Sequence, residues 1–264
     1  MKIVIVLASL WICACAVGAE FHPIVEVETG YFFGGTSNGK WIEAKPAAKS
    51  VKDGTGYRVY SLTDQVGEAK GDRPKVAEEA VCPDTLAVSL SPKPNGGVIA
   101  LAAPWNALPR KPRIADATQQ VYVDAVRDFL KGRGIKDPKV KIKKILRIDL
   151  DGDDEDEVLL NATNYFSEDE TVPTGAPPGS YSVVLLRRVV AGKLHTEVIA
   201  GEVHPDAKHF NAPNYYEVTA VLDLDGDGKL EVVVHSGYYE GGSTTIYRCN
   251  PAKVKPLLHV ECGV

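Results

Sequence analysis

The chain has 264 residues, which is enough for one large domain or two modest domains with real hydrophobic cores. Its formal net charge of −5 comes from 30 basic and 35 acidic side chains, and the basic residues are scattered along the sequence. This balance argues against a nucleic-acid partner, because nucleic-acid binding favours a basic face.

Residues 1–19 have the composition of a secretory signal peptide. Lys2 precedes an apolar run, and small or compact residues lead up to Ala19, after which we expect cleavage. The run is shorter than the roughly 20 residues that a membrane-spanning helix needs, so no transmembrane span is predicted after cleavage. The expected location is therefore secreted, periplasmic or in the cell envelope. A second interpretation is a lipid anchor through Cys15, because residues 12–15 resemble a bacterial lipoprotein processing box.

Residues 20–110 are predicted to form a small N-terminal β-domain. The region is rich in glycine and proline, which punctuate short runs of alternating apolar residues. These runs occupy residues 31–41, 56–62, 85–91 and 97–102. Asn38 and Gly39 supply the positive φ values of a tight hairpin turn inside the first run.

A linker and a helix follow. The stretch 104–112 is rich in proline and is predicted to be the exit linker, with a solvated basic cluster of Arg110, Lys111 and Arg113. Residues 116–132 have helical spacing, with Asp116 or Thr118 as a cap at the start and Gly132 at the end. The apolar stripe consists of Val121, Tyr122, Ala125, Val126, Phe129 and Leu130. We assign this amphipathic helix to packing.

The C-terminal half of the chain repeats itself. Residues 145–153 align with residues 219–227 without a gap, and both segments continue into further strand-like runs. Each copy has four short antiparallel strands, which is the size of one propeller blade. We call residues 141–204 the first repeat and residues 215–262 the second repeat. The predicted fold is mainly β, and its second part, residues 116–264, contains the helix and two propeller-blade-like repeats.

Each repeat contains a nine-residue acidic loop, residues 149–157 (the first loop) and residues 223–231 (the second loop). Acidic side chains stand at positions one, three, five and nine, namely Asp149, Asp151, Asp153 and Glu157, and Asp223, Asp225, Asp227 and Glu231. With the carbonyl oxygen of position seven, Glu155 or Lys229, and one or two waters, they supply the six or seven oxygens that calcium prefers. Magnesium demands a more regular octahedron, so we predict two calcium sites. The alternative is a solvated turn of Asp and Gly.

The surroundings of the loops separate them from EF-hands. An EF-hand needs a glutamate at position twelve and flanking helices, whereas position twelve here is Leu160 or Val234 and the flanks are β-branched or apolar runs. The loops resemble the calcium loops of FG-GAP and VCBS repeat proteins, which include the integrin-α type propeller blade. This resemblance covers residues 141–264. It implies that calcium is structural and that binding partners engage other surfaces.

The two loops differ at their sixth position, where Asp154 stands in place of Gly228. That position needs a left-handed backbone, which glycine adopts freely and aspartate adopts at a modest cost. We therefore expect tighter binding in the second loop, although Asp154, Glu155 and Asp156 add negative charge around the first. FG-GAP and VCBS proteins usually carry about seven blades in a closed ring. Two copies instead favour a sandwich that the helix or the N-terminal β-domain closes.

Three cysteines follow the predicted cleavage site, namely Cys82, Cys249 and Cys262. An oxidising compartment allows two of them to pair, and the sequence leaves three pairings open. Closure of the longest loop favours Cys82 with Cys262, because it restricts the unfolded chain most. Three buried, unpaired thiols are the alternative.

The sequence contains no nucleophile elbow, zinc-protease helix, P-loop or dinucleotide-binding motif. His204, Asp206 and His209 are close in sequence but are interpreted as a surface loop. His235 and Ser236 are neighbours on a strand and should point to opposite faces. The clustered tyrosines are expected to pack between strands rather than to stack on sugars, and they are Tyr165, Tyr215, Tyr216, Tyr238 and Tyr239.

These observations predict an exported, non-enzymatic, calcium-binding β-repeat protein. Its function is that of a binding or cell-envelope module for an unidentified protein or carbohydrate ligand. An exported hydrolase with a site outside the calcium loops is the alternative, and a purely structural or vestigial repeat protein is a third interpretation.

Overall fold

The protein is mainly β, as the sequence predicts. The structure is a computed structural model that describes residues 20–78, 82–165, 172–206, 212–250 and 253–263. The described strands form antiparallel sheets, none of which closes into a barrel. The predicted signal peptide with Cys15, and His209, lie outside the described residues.

The predicted N-terminal β-domain contains a seven-stranded antiparallel sheet. In spatial order its strands are β3 (Lys40–Glu43), β2 (Phe32–Ser37), β1 (His22–Glu26), β9 (Ile99–Leu101), β4 (Thr55–Tyr60), β5 (Gln65–Gly71) and β8 (Leu90–Ser91). A ribbon of β6 (Lys75–Val76) and β7 (Leu86–Ala87), the short helix α1 (Ala44–Ala47) and a 3-10 turn (Ala48–Ser50) accompany it. The predicted hairpin is confirmed, since Asn38 and Gly39 join β2 to β3 with φ values of 49° and 70°.

The first repeat forms a five-stranded antiparallel sheet. Its strands are β10 (Arg113–Ala115), β11 (Ile142–Ile148), β12 (Glu157–Thr163), β13 (Ser180–Val190) and β14 (Lys193–His204). The four predicted strands are thus joined by an additional edge strand, β10. Arg113 on β10 bonds to Asp156, and Arg147 on β11 lies 3.3 Å from the same carboxylate. The shared carboxylate helps to hold β10 against the sheet.

The second repeat forms a four-stranded antiparallel sheet of β15 (Tyr215–Leu222), β16 (Glu231–Tyr238), β17 (Gly241–Asn250) and β18 (Lys253–Gly263). The two sheets share their strand pairing. The second residue of β12, Val158, pairs with Arg187 of β13, and the second residue of β16, Val232, pairs with Tyr247 of β17. Each acidic loop connects the two strands at the corresponding place in its sheet, β11 to β12 and β15 to β16.

The predicted helix is present as α2 (Gln120–Gly132). Its buried residues, Tyr122, Val126 and Leu130, pack against the sheet of the first repeat. The predicted cap at the start of the helix is wrong, because the helix follows Gln119 without a side-chain cap. The carboxylate of Asp116 instead accepts hydrogen bonds from the backbone and hydroxyl groups of Thr118, each at 2.8 Å. These bonds close a turn ahead of the helix, which begins two residues later.

The three large sheets pack in layers, with the second repeat in the middle. Leu222 and Val233 belong to a core shared with the N-terminal sheet, whereas Val221 and Val232 belong to a core shared with the first repeat. This alternation follows from the two-residue period of a strand. Because α2 covers the outer face of the first repeat, both the helix and the N-terminal sheet enclose the paired repeats.

A disulfide joins Cys82 to Cys262, which are separated by 180 residues. This is the pairing that the loop-closure argument favours. Cys249 is a buried free thiol, and burial raises its pKa to about 12. No helix among the described residues is long and apolar enough to cross a membrane.

Candidate metal centre

The first loop folds around the side chain of Asp149. Its Oδ1 accepts a hydrogen bond from the backbone nitrogen of Gly152 at 2.6 Å, and its Oδ2 accepts one from that of Asp154 at 3.2 Å. Glu157 holds the other end, because its Oε2 accepts a hydrogen bond from the backbone nitrogen of Leu150 at 2.8 Å. Positions one and nine therefore fix the backbone of the loop.

The second loop repeats these contacts at the equivalent positions. Asp223 accepts hydrogen bonds from the backbone nitrogens of Gly226 at 2.7 Å and Gly228 at 3.0 Å. Glu231 accepts one from the backbone nitrogen of Leu224 at 3.0 Å. The same local pattern of residues thus produces the same loop in both repeats.

Two positions of each loop have a left-handed backbone. At the fourth position the φ values are 85° for Gly152 and 78° for Gly226, and at the sixth they are 69° for Asp154 and 81° for Gly228. The conformation predicted for the sixth position is confirmed in both loops. Asp154 adopts it without the freedom that glycine has.

The three aspartates of each loop bring their carboxylates together. Within each group, one oxygen from each aspartate lies within 4.8 Å of the other two, and the groups are Asp149, Asp151 and Asp153, and Asp223, Asp225 and Asp227. Oδ1 of Asp151 and Oδ1 of Asp225 are buried and accept no hydrogen bond from the described residues. A buried carboxylate oxygen without a donor is unfavourable, so these groups fit a hard cation.

Burial and repulsion between neighbouring carboxylates raise the pKa of the glutamate at position nine of each loop. Burial, together with the charges of Asp151, Asp153 and Asp149, raises the pKa of Glu157 to about 6, although the hydrogen bond from the backbone nitrogen of Leu150 opposes this rise. Burial likewise raises the pKa of Glu231 to about 8, with a contribution from Asp225 that the guanidinium of Arg248 opposes. A bound cation would relieve this repulsion.

Positions seven and nine stand apart from the clustered aspartates. The backbone nitrogens of Glu155 and Lys229 donate to Oδ1 of Asp153 at 2.9 Å and to Oδ1 of Asp227 at 2.8 Å. These bonds fix position seven, and metal ligation by its carbonyl oxygen stays a prediction. Each glutamate at position nine uses one carboxylate oxygen to accept a hydrogen bond from the loop backbone.

Arg248 on β17 enters the second loop. Its guanidinium donates to Oδ2 of Asp225 at 2.6 Å and to Oε1 of Glu231 at 2.7 Å, and it lies 3.7 Å from Oδ2 of Asp227. It also lies over the ring of Trp41, 5.6 Å from the centroid. Arg248 therefore places a positive charge next to the carboxylates of the second loop.

Arg188 occupies the equivalent place in the first repeat, but its side chain bonds to groups outside the first loop. It donates to the carbonyl oxygen of Cys249 at 3.0 Å and bonds to Glu197. Among the described residues, the arginine nearest to the clustered aspartates of the first loop is Arg110, whose Nε lies 3.6 Å from Oδ2 of Asp149. Within the described part of the chain, Arg248 thus lies close to two clustered aspartates of the second loop, whereas Arg110 lies close to one clustered aspartate of the first.

The segment predicted to be a linker connects the two loops. Arg110 donates to the carbonyl oxygens of Asp149 at 2.7 Å and Gly228 at 2.8 Å. The loops also contact each other, through a 2.8 Å hydrogen bond from the backbone nitrogen of Leu230 to the carbonyl oxygen of Leu150. The expectation that Arg110 is solvated is wrong, because only 27% of its side chain is exposed.

Trp105 extends this connection to the second loop. Its indole nitrogen donates to the carbonyl oxygen of Asp223 at 2.9 Å, and its ring packs against Gly226. The backbone nitrogen of Asp223 donates to the carbonyl oxygen of Ala107 at 2.8 Å. Residues 105–110 therefore belong to the candidate site. Their proline-rich composition gave no sign of these contacts, which depend on how distant segments pack.

The other residues considered from the sequence lie away from the loops. Nε2 of His204 lies 3.1 Å from Oε1 of Glu202, which also accepts a hydrogen bond from the hydroxyl of Tyr165 at 2.8 Å. Nδ1 of His235 lies 3.1 Å from Oγ1 of Thr244. Tyr165 is buried, whereas its sequence equivalent Tyr239 is 40% exposed, so only the first of these two is a packing residue.

No protein-family model, curated protein or solved structure matches this chain. The resemblance to FG-GAP and VCBS repeats therefore depends on the residues of the loops alone.

Proposed function

We propose that the protein is an exported, non-enzymatic, calcium-binding β-protein that serves as a binding module for a protein or carbohydrate. The observation that carries this proposal is the convergence of three aspartate carboxylates in each loop, with oxygens within 4.8 Å of one another. The composition of residues 1–19 supports export. The disulfide between Cys82 and Cys262 agrees with it, because disulfides persist in oxidising compartments.

Calcium suits the loops better than magnesium does. All side-chain ligands are carboxylate oxygens, and they come from a short irregular turn rather than from a regular octahedral frame. The buried, unpartnered oxygens of Asp151 and Asp225 would receive the electrostatic compensation that no described donor gives them.

The first loop is the tighter of the two proposed sites, which reverses the order expected from the sequence. In the second loop calcium competes with Arg248, and separating a buried ion pair costs about 3–5 kcal/mol. The left-handed backbone of Asp154 costs only about 1 kcal/mol in the first loop. The competition with arginine therefore outweighs the backbone strain.

Calcium has a structural role in this proposal. The loops lie where the two repeats and residues 105–110 meet, and the hydrogen bonds of Arg110 and Leu230 join them. A cation in either loop would stiffen this junction. Partners would then bind to surfaces that the stiffened sheets hold in place.

The test is a calorimetric calcium titration of the calcium-free protein beside the double variant Asp151→Asn, Asp225→Asn. We expect dissociation constants on the order of 10⁻⁴ to 10⁻³ M, as in extracellular calcium modules. Calcium should also raise the melting temperature, because a ligand that binds only the folded state stabilises it.

The matched control is Asp137→Asn, which removes one exposed carboxylate outside both loops. This control should bind calcium as the parent protein does, whereas the double variant should lose both the heat and the thermal shift. Absence of calcium binding by the parent protein would contradict the proposal. Equal binding by magnesium would contradict the choice of metal.

A further inference from the structure

A cavity of about 780 Å³ opens between the N-terminal sheet and the second repeat, away from the acidic loops. Its walls come from the end of β1 and the following turn, from the residues just before β9, from β15 and β18, and from β16 and β17 with the turn between them. The residues that give it its character are Glu26, Glu28, Tyr215, Glu217, Tyr238 and Glu240. We call this cavity the glutamate cleft.

The charge of the glutamate cleft is strongly one-sided. No lysine or arginine occurs among the described residues that line it. Glu217 has a counter-ion outside the lining, since Nζ of Lys144 lies 2.5 Å from its Oε1. Glu26, Glu28 and Glu240 make no ion pair within the described part of the chain. The cleft thus presents three carboxylates whose charge is not balanced locally.

Glu26 is fixed in place by neutral groups. The hydroxyl of Thr244 donates to its Oε1, and the hydroxyl of Thr29 donates to its Oε2 at 2.5 Å. The hydroxyl proton of Thr244 points to Glu26, so the oxygen Oγ1 of Thr244 must act as the acceptor toward His235. The N–H at Nδ1 of His235 therefore donates to this oxygen, 3.1 Å away. These bonds orient the carboxylate without supplying a counter-ion.

Aromatic side chains add an apolar surface beside the carboxylates. Tyr31, Tyr215 and Tyr238 line the cleft together with Val98 and Val260. Burial raises the pKa of the Tyr215 hydroxyl, and the charges of Glu217 and Glu28 raise it further, so the negative potential reaches this ring. An aromatic surface next to carboxylates suits an organic cation.

The carboxylates do not suit a metal ion in the same way. Among the described residues, the acidic groups whose ligand atoms converge within 4.8 Å are those of the two loops, and the cleft has no such group. A neutral sugar would gain little from three unbalanced charges. A flexible alkyl chain with a terminal ammonium group matches both the apolar wall and the separated carboxylates.

We propose that the glutamate cleft binds lysine side chains from an extended segment of a partner protein. The alkyl part of the lysine packs against the tyrosines, and the ammonium group lies among Glu26, Glu28 and Glu240. This inference goes beyond calcium binding. It rests on the proposed role as a binding module and names the chemistry of the partner.

The test is calorimetric titration of the protein with an N-acetylated, amidated trilysine peptide at low ionic strength. The variant Glu28→Gln, Glu240→Gln removes two exposed carboxylates from the cleft and should retain the melting temperature of the parent. We expect it to weaken peptide binding about tenfold, from two screened charge contacts. Binding by the parent should also weaken as salt is added.

The matched control is Glu43→Gln, Glu68→Gln, which removes the same charge from exposed positions outside the cleft. Equal weakening in both double variants would overturn the proposal, because it would show only a general charge effect. Absence of binding by trilysine, equal binding by its acetyl-lysine counterpart, or binding of the neutral trisaccharide maltotriose instead would also overturn it.

Each titration is run with calcium and again with a chelator, so that the two proposals fail separately. Trilysine binding in a protein that binds no calcium would contradict the role of the loops alone. Calcium binding without trilysine binding would contradict the role of the cleft alone.

Discussion

The two acidic loops share their left-handed backbone positions and the hydrogen bonds that positions one and nine accept, but they differ in their sources of positive charge. In the second loop, Arg248 bonds to Asp225 and Glu231 from the neighbouring strand β17. In the first repeat, the equivalent Arg188 bonds to Glu197 and to a backbone carbonyl instead. The loop motif therefore determines the shape of a site, whereas a residue outside the motif decides how much of its charge is already balanced.

This difference has a consequence for metal binding. A cation that enters the second loop must share or displace a guanidinium, which is costly for a buried pair. A cation that enters the first loop meets clustered carboxylates beside a more distant arginine, Arg110. Three sets of substitutions separate these contributions, in order of decreasing expected effect.

Arg248→Met should have the largest effect. In calcium-free buffer we expect the free energy of unfolding to fall by about 3 kcal/mol, because Glu231 is fully buried and would lose its counter-ion. Saturating calcium should recover much of this loss, since the metal replaces the guanidinium charge. Urea unfolding with and without calcium measures both quantities.

Arg188→Met is the matched control for this substitution. It also removes a buried arginine, whose side chain is 6% exposed, but from a place outside the first loop. Its destabilisation should not depend on calcium. A loss in Arg248→Met that is the same with and without calcium would contradict the competition between arginine and metal.

Arg110→Ala should affect both loops together. The substitution removes hydrogen bonds to the carbonyl oxygens of Asp149 and Gly228, so we expect a loss of about 2 kcal/mol and weaker calcium binding in both loops. Lys111→Ala is the control, because Lys111 is exposed and pairs only with Asp64 among the described residues. A change confined to one loop would show that Arg110 does not couple them.

Reciprocal substitutions at the sixth position should have the smallest effect. Asp154→Gly should stabilise the calcium-free protein by about 0.5 kcal/mol, since relief of the left-handed strain exceeds the added entropy of glycine in the unfolded chain. Gly228→Asp should destabilise it by a similar amount. Thermal unfolding of the two variants measures both changes in stability. Shifts of the same sign would contradict the strain argument.

The features that could be predicted from the sequence depend on neighbouring residues. Asn38 and Gly39 define a hairpin turn, the stripe containing Tyr122 and Val126 defines a helix, and the backbone bonds of each loop join residues at most seven positions apart. Such local patterns act through the backbone preferences of a few residues. They therefore gave the fold class and the conformation of the loops.

The features that could not be predicted depend on distant contacts. Arg248 lies 17 residues after Glu231 and reaches it through strand pairing, and Arg110 precedes Gly228 by 118 residues. The equivalence of Arg188 and Arg248 comes from the strand pairing, in which Val158 pairs with Arg187 and Val232 pairs with Tyr247. The sequence also does not show which of the two arginines turns toward its loop. That choice depends on Glu197 and on packing between the sheets.

The metal itself can be located by anomalous diffraction from crystals of the protein soaked in calcium. A peak among the carboxylates of Asp149, Asp151 and Asp153, stronger than any peak beside Arg248, is the expected result. Crystals without a peak in the first loop at saturating calcium would contradict the proposal that this loop is a calcium site.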